Sequence, residues 1–142
     1  EAQAAESRYL SEIDPLEGGC SVREVKISGP SYPHGLVCEE RRSGEHVWLL
    51  SRNVDAVTGL FGIPDTADPA TTATVEILVD GQPVQTANLT YGAAATPIDL
   101  TTTGALRLAV RITTESPEPA WVGFGDVRLV GDGAALQGLA KR

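Results

Sequence analysis

Residues 74–89 read Thr74-Val75-Glu76-Ile77-Leu78-Val79-Asp80-Gly81-Gln82-Pro83-Val84-Gln85-Thr86-Ala87-Asn88-Leu89. Val75, Ile77 and Val79 alternate with Thr74, Glu76 and Leu78. That period of two directs one apolar row toward a core. Asp80-Gly81 supplies the positive φ angles of a tight hairpin, so a second strand follows. A chain built from such units is a β-sheet protein, and that limits where chemistry can sit.

The same reading extends outward. Ala105 to Thr113 is a strand with Leu106, Leu108, Val110 and Ile112 facing in and Arg107 and Arg111 facing out. Val22–Ile27 places Val25 and Ile27 on one face. His46–Ser51 sets Val47 and Leu49 against Trp48 and Leu50, and Val54–Ile63 carries Val57, Gly59 and Phe61 in one row. Trp121–Val130 reads as a strand region broken by Gly123 and Gly125. Asp14-Pro15, Glu17-Gly18-Gly19 and Gly29-Pro30 are turns, and Ser31–Leu36 reads as a loop. About eight short strands and no long helix make an all-β domain, a jelly-roll-type β-sandwich. The expected organisation is a linker or frayed N-terminus at 1–8, the sandwich at 9–130 and a polar C-terminal tail at 131–142.

The 142 residues suffice for one domain with a hydrophobic core, and 42% apolar content is ordinary for one. A net charge of −8 argues against nucleic acid, which demands clustered cations. The basic pair Arg41-Arg42 is flanked by Glu39, Glu40 and Glu45. The same balance opposes docking on an anionic membrane. No apolar run approaches the ~20 residues of a membrane-spanning helix. The chain starts at Glu1, so we expect a mature form or part of a larger chain.

Cys20 and Cys38 are the only cysteines. A disulfide between them, which places the domain outside the reducing cytosol, is favoured over two buried thiols. A zinc site completed by His34 and His46 matches no standard spacing.

The motifs of common hydrolases, nucleotide-binding proteins and zinc proteases are absent from the sequence, and no carboxylate pair stands out. The expectation is therefore a binding module and not an enzyme. His34, between Pro33 and Gly35, can hydrogen-bond a polar ligand or order its loop. Trp48 and Trp121 are candidate platforms for sugar rings, with a core role as the alternative. Asp65 and Asp68 are candidate calcium ligands, or caps of turns. Arg107 and Arg111 share an outward face, where they either grip a ligand or keep the sheet from sticking to others.

Several segments, in order, resemble the NPCBM family of carbohydrate-binding modules. Tyr9-Leu10-Ser11-Glu12-Ile13 is similar to its Tyr-Leu-Ser-Asp-Leu opening, and Tyr32-Pro33-His34-Gly35-Leu36 to its Tyr-x-His-Gly-Leu loop. Val57 to Ile63, ending Leu60-Phe61-Gly62-Ile63, and Val75–Gly81 resemble its central strand and hairpin. Leu106–Val110 and Gly125-Asp126-Val127-Arg128-Leu129 resemble its closing segments. The resemblance implies a galactose-binding-like β-sandwich, attached to glycosidases or to extracellular parts of bacterial proteins. It implies glycan or cell-wall polymer as ligand and structural calcium in related sandwiches. It also implies a ligand edge near His34, Phe124 and Asp126. Two departures stand out: Phe124 replaces the family's closing Trp, and Gly123 the Asp before it. They remove a stacking surface and a carboxylate. The functional expectation is an extracytoplasmic glycan-binding module; the alternative is a protein-interaction or sensor ectodomain of a bacterial membrane receptor, such as a receptor kinase.

Overall fold

The computed structural model describes residues 5–13, 15, 16, 18, 20–115, 120–136 and 139. The turns expected at Asp14, Glu17 and Gly19 lie outside these residues, as do positions 137, 138 and 140–142 of the expected tail.

Ten strands are present among the described residues: β1 Ala5–Tyr9, β2 Ser21–Lys26, β3 Ser31–Glu40, β4 Ser43–Leu49, β5 Ala56–Gly62, β6 Thr72–Val79, β7 Gln82–Thr90, β8 Thr96–Thr101, β9 Arg107–Thr113 and β10 Ala120–Asp132. A short 3-10 turn, Leu10–Glu12, follows β1, and one helical turn, α1 Gly133–Leu136, follows β10. One sheet runs β2-β3-β10-β5-β8, with β1 also on β10; the other runs β4-β9-β6-β7. All pairings are antiparallel. This is the jelly-roll-type sandwich expected from the pattern of short strands.

The period of two explains the core. Ala73, Val75 and Ile77 of β6 are buried, as are Leu108, Val110 and Ile112 of β9. They meet Val57 and Phe61 of β5, Val122, Phe124 and Leu129 of β10, and Trp48 of β4 in one apolar cluster. Leu106 departs from the expected row: it precedes β9 and is 38% exposed.

The Asp80-Gly81 hairpin has a second function. Asp80 (φ +50°) and Gly81 (φ +81°) form the turn. The Asp80 Oδ1 also accepts the backbone N–H groups of Leu106 and Arg107, both at 2.9 Å. One carboxylate thus pins the turn to the start of the neighbouring strand. Asp80→Ala is expected to cost about 1–3 kcal/mol, because it orphans two donors and leaves a Cβ-bearing residue without polar support at positive φ. Asp80→Asn keeps the acceptor and tolerates that φ, so urea unfolding should place it between wild type and Asp80→Ala.

Gly123 and Gly125 do not break β10. They make room. A Cβ on Gly123 would stand 2.7 Å from Val25 Cγ1, and one on Gly125 would stand 2.5 Å from Tyr32 Cγ. The β2–β3 turn therefore folds flat onto the outer face of its sheet. There Val25, Ile27 and Val37 form a second apolar cluster with Tyr32 and Trp121 against it. The polar stretch read as linker through residue 8 is a strand from Ala5, held by backbone pairing of Ala5–Tyr9 to Arg128–Asp132. Backbone hydrogen bonds need no apolar pattern, which is why composition hid it. Likewise the stretch after residue 130 continues β10 and buries Leu136 and Leu139.

Candidate functional site

The candidate site lies where β10 changes partner. One edge of β10 pairs with β5 along both of its halves. On the other edge, Ala120–Gly125 pair with β3 and Arg128–Asp132 pair with β1. Between the halves the register shifts, and Asp126 sits in the left-handed region at φ +47°. A bulge re-aims the side chain it carries, and Asp is among the residues that tolerate this conformation. Here the Asp126 Oδ1 accepts the backbone N–H of His34 at 3.2 Å.

The end of β1 and the beginning of β3 meet at the same break. The Tyr9 and His34 rings stack with centroids 3.7 Å apart and planes 4° from parallel. Arg128, the register partner of Tyr9, lies 5.1 Å from the Tyr9 ring centroid and donates from Nη2 to the Tyr9 hydroxyl at 2.9 Å. Glu12 in the following turn accepts the Tyr9 backbone N–H at 3.0 Å. His34 and Arg128 are exposed, and Tyr9 and Asp126 half-buried. The cluster thus offers an imidazole on an aromatic support, a guanidinium donor and a carboxylate acceptor. Groups of these kinds hydrogen-bond the hydroxyls of a polar ligand while a ring packs on its apolar face. Tyr9 and Arg128 were legible only as letters in the opening and closing motifs.

Other expected site residues are placed elsewhere. Phe124 is 2% exposed and stacks on Phe61 at 5.8 Å, so it is a core residue and not a ligand contact. Period two explains it: Val122 and Phe124 face inward, Trp121 and Gly123 outward. Trp48 is also core, at 1% exposure. Trp121 is half-buried on the outer face, its Nε1 donating to Glu39 Oε2 at 3.0 Å.

Asp65 accepts the N–H groups of Ser28 and Gly29 at 2.8 and 3.0 Å, one on each carboxylate oxygen. Asp68 Oδ1 accepts the N–H of Ala70 at 2.8 Å. Both carboxylates cap backbone turns. Neither joins a cluster of three or more His, Cys or acidic ligand atoms among the described residues. The calcium ligand set does not fit these residues, and no cation is assigned to them.

Cys20 and Cys38 form the expected disulfide, with Cα atoms 4.5 Å apart. His46 lies within 4.8 Å of both sulfurs, the one such grouping among the described residues. Joined sulfurs are not thiolates, so the grouping is no zinc site. Its place in the fold is structural. His46 of β4 pairs through Nε2 with Glu40 of β3 at 2.5 Å, and the two side chains are 8% and 11% exposed. The disulfide and the His46–Glu40 hydrogen bond together fasten this end of the sandwich. Arg111 binds Glu45 at 3.2 Å and Glu76 at 2.9 Å across β4-β9-β6, a surface ladder that occupies its guanidinium.

Comparison with known proteins follows the same lines. A profile of the NPCBM/NEW2 domain family matches residues 6–130. No curated protein sequence matches the chain. Among solved structures, the CBM51 module of Clostridium perfringens GH95 in complex with methyl-galactose superposes with TM-score 0.70 at 18% identity, covering 87% of this chain and 99% of that one. The tandem CBM51 modules of Sp3GH98 from Streptococcus pneumoniae give TM-score 0.76 at 16% identity, covering 89% and 48%. CBM51-2 with GlcNAc and INT domains from Clostridium perfringens ZmpB gives 0.74 at 13%, covering 89% and 32%. The chain spans less than half the length of the last two. At these identities the likeness is one of fold.

Proposed function

The chain belongs to the NPCBM/NEW2 domain family, and from that premise we propose that it is a non-catalytic, extracytoplasmic glycan-binding module whose ligand edge is Tyr9, His34, Asp126 and Arg128. The observation that carries this reading is the bulge at Asp126. It brings a carboxylate, an imidazole, a guanidinium and an aromatic face to one break in the sheet. The disulfide supports an oxidising compartment. Relatives of greater length support a place within a larger chain.

The neighbour solved with methyl-galactose makes galactosides the first ligands to try. Calorimetric titration with methyl-galactoside and galactose-terminated oligosaccharides should give binding in the micromolar to millimolar range. Asp126→Ala should weaken it about 10- to 100-fold, the loss of one or two charge-assisted hydrogen bonds. Asp126→Asn should fall between, since it keeps an acceptor for the His34 N–H. A wild-type protein inert to galactosides and cell-wall fragments at ~10 mM, above the millimolar limit of weak binding, would remove the proposal. So would an Asp126→Ala variant that binds like wild type.

A further inference from the structure

We propose that the outer face of the β2-β3-β10 sheet carries a second ligand groove, separate from the Asp126 edge, that takes a neutral pyranose ring on Trp121. The groove has a volume of about 170 Å³ and is lined by Cys20, Ser21, Arg23, Val37, Glu39 and Trp121. It stands five residues of strand from Asp126, roughly 16 Å at the rise of a β-strand. One sugar ring cannot occupy both places. The proposal extends the glycan-binding reading but does not depend on the Asp126 edge.

The lining is preorganised. Trp121 is half-buried and packs against both apolar clusters, while its Nε1 donates to Glu39 at 3.0 Å. Its indole is therefore held in one orientation in the wall of the groove. Trp121 and Glu39 are register partners on β10 and β3. Across the groove, Ser21 is the partner of Val37 and Arg23 the partner of Gly35. The Cys20–Cys38 bridge adjoins Ser21 and fixes the spacing of β2 against β3.

The chemistry of the lining selects the ligand. The Arg23 side chain has no ion-pair or hydrogen-bond partner among the described residues. A guanidinium donor, a carboxylate acceptor and a serine hydroxyl can read adjacent hydroxyl groups, and the indole accepts the C–H face of a pyranose. A uronate or other acidic sugar could pair with Arg23 only beside the Glu39 carboxylate, which offsets that attraction, and in the field of a chain with net charge −8, so it is disfavoured. A neutral ring meets neither penalty.

The test is a titration followed by the Trp121 indole N–H resonance, with the core residue Trp48 as internal control. Lactose, cellobiose and glucuronic acid are the probes. A neutral disaccharide should move the Trp121 signal at millimolar concentration and leave Trp48 still. Arg23→Ala and Glu39→Gln, both surface changes, should weaken that response about tenfold. Asp126→Ala should weaken binding of methyl-galactoside at the edge by about the same 10- to 100-fold without weakening the indole response, so the two proposals fail separately. An indole signal unmoved by either disaccharide overturns the groove. A response equal in Arg23→Ala and wild type also overturns it, and a response to glucuronic acid alone overturns the neutral-sugar assignment.

Discussion

Phe124→Ala will lower the unfolding free energy by about 3–5 kcal/mol, as removal of a buried ring from a packed core does. The ring is 2% exposed and stacks on Phe61, itself fully buried. The loss combines burial, a cavity that rigid strands cannot close, and an aromatic pair worth about 0.5–1.5 kcal/mol. For a domain with total stability of roughly 5–15 kcal/mol this is a large fraction. Urea unfolding reads it directly as a lower midpoint with an unchanged slope. Phe124→Leu, which keeps most of the volume, should lose much less. If instead Phe124→Ala unfolded like wild type and lost galactoside binding, the ring would belong to the ligand edge and its core assignment would be wrong.

Breaking the Cys20–Cys38 bridge should cost about 3 kcal/mol, on the chain-entropy estimate for a loop of this size. The bridge closes a sequence separation of 18 and ties the entry of β2 to β3. The comparison is thermal unfolding of wild type with and without reductant, alongside Cys20→Ala/Cys38→Ala. A fall of roughly 10 °C is expected for a chain of this length. The Glu40–His46 pair beside the bridge will not compensate. It spans the two sheets but leaves the loop between residues 20 and 38 open in the unfolded chain. A reduced protein with the melting temperature of the oxidised one would show that the bridge adds nothing to stability.

Much of the scaffold was legible. The alternation in β6 and β9 and the turn at Asp80-Gly81 follow from side-chain geometry over a few residues. β1 was not legible, because Ala5–Tyr9 joins the sheet by backbone pairing to a strand more than 100 residues away. The start of β3 was hidden by Pro33 and Gly35, which read as loop residues. Yet Gly35 is the cross-strand partner of Gly125, on a face cleared of side chains so that Tyr32 and Val25 can lie across it. The site was half legible. His34 and Asp126 could be named from their motifs, but Trp48 and Trp121 looked alike in sequence. They differ because one faces the space between the sheets and the other an outer surface only partly covered by the β2–β3 turn.

The sheet class, the hairpin, the family and the two cysteines available to pair can all be read from the amino-acid order, because each depends on local periodicity or on residue types present. Tertiary structure alone decided which face of each strand is covered, that Phe124 is core, that Asp65 and Asp68 cap turns, and that Tyr9, His34, Asp126 and Arg128 meet. Period two fixes that alternate residues share a face. What that face touches is set by strand register and by the bulge at Asp126, and both depend on partners distant in the chain.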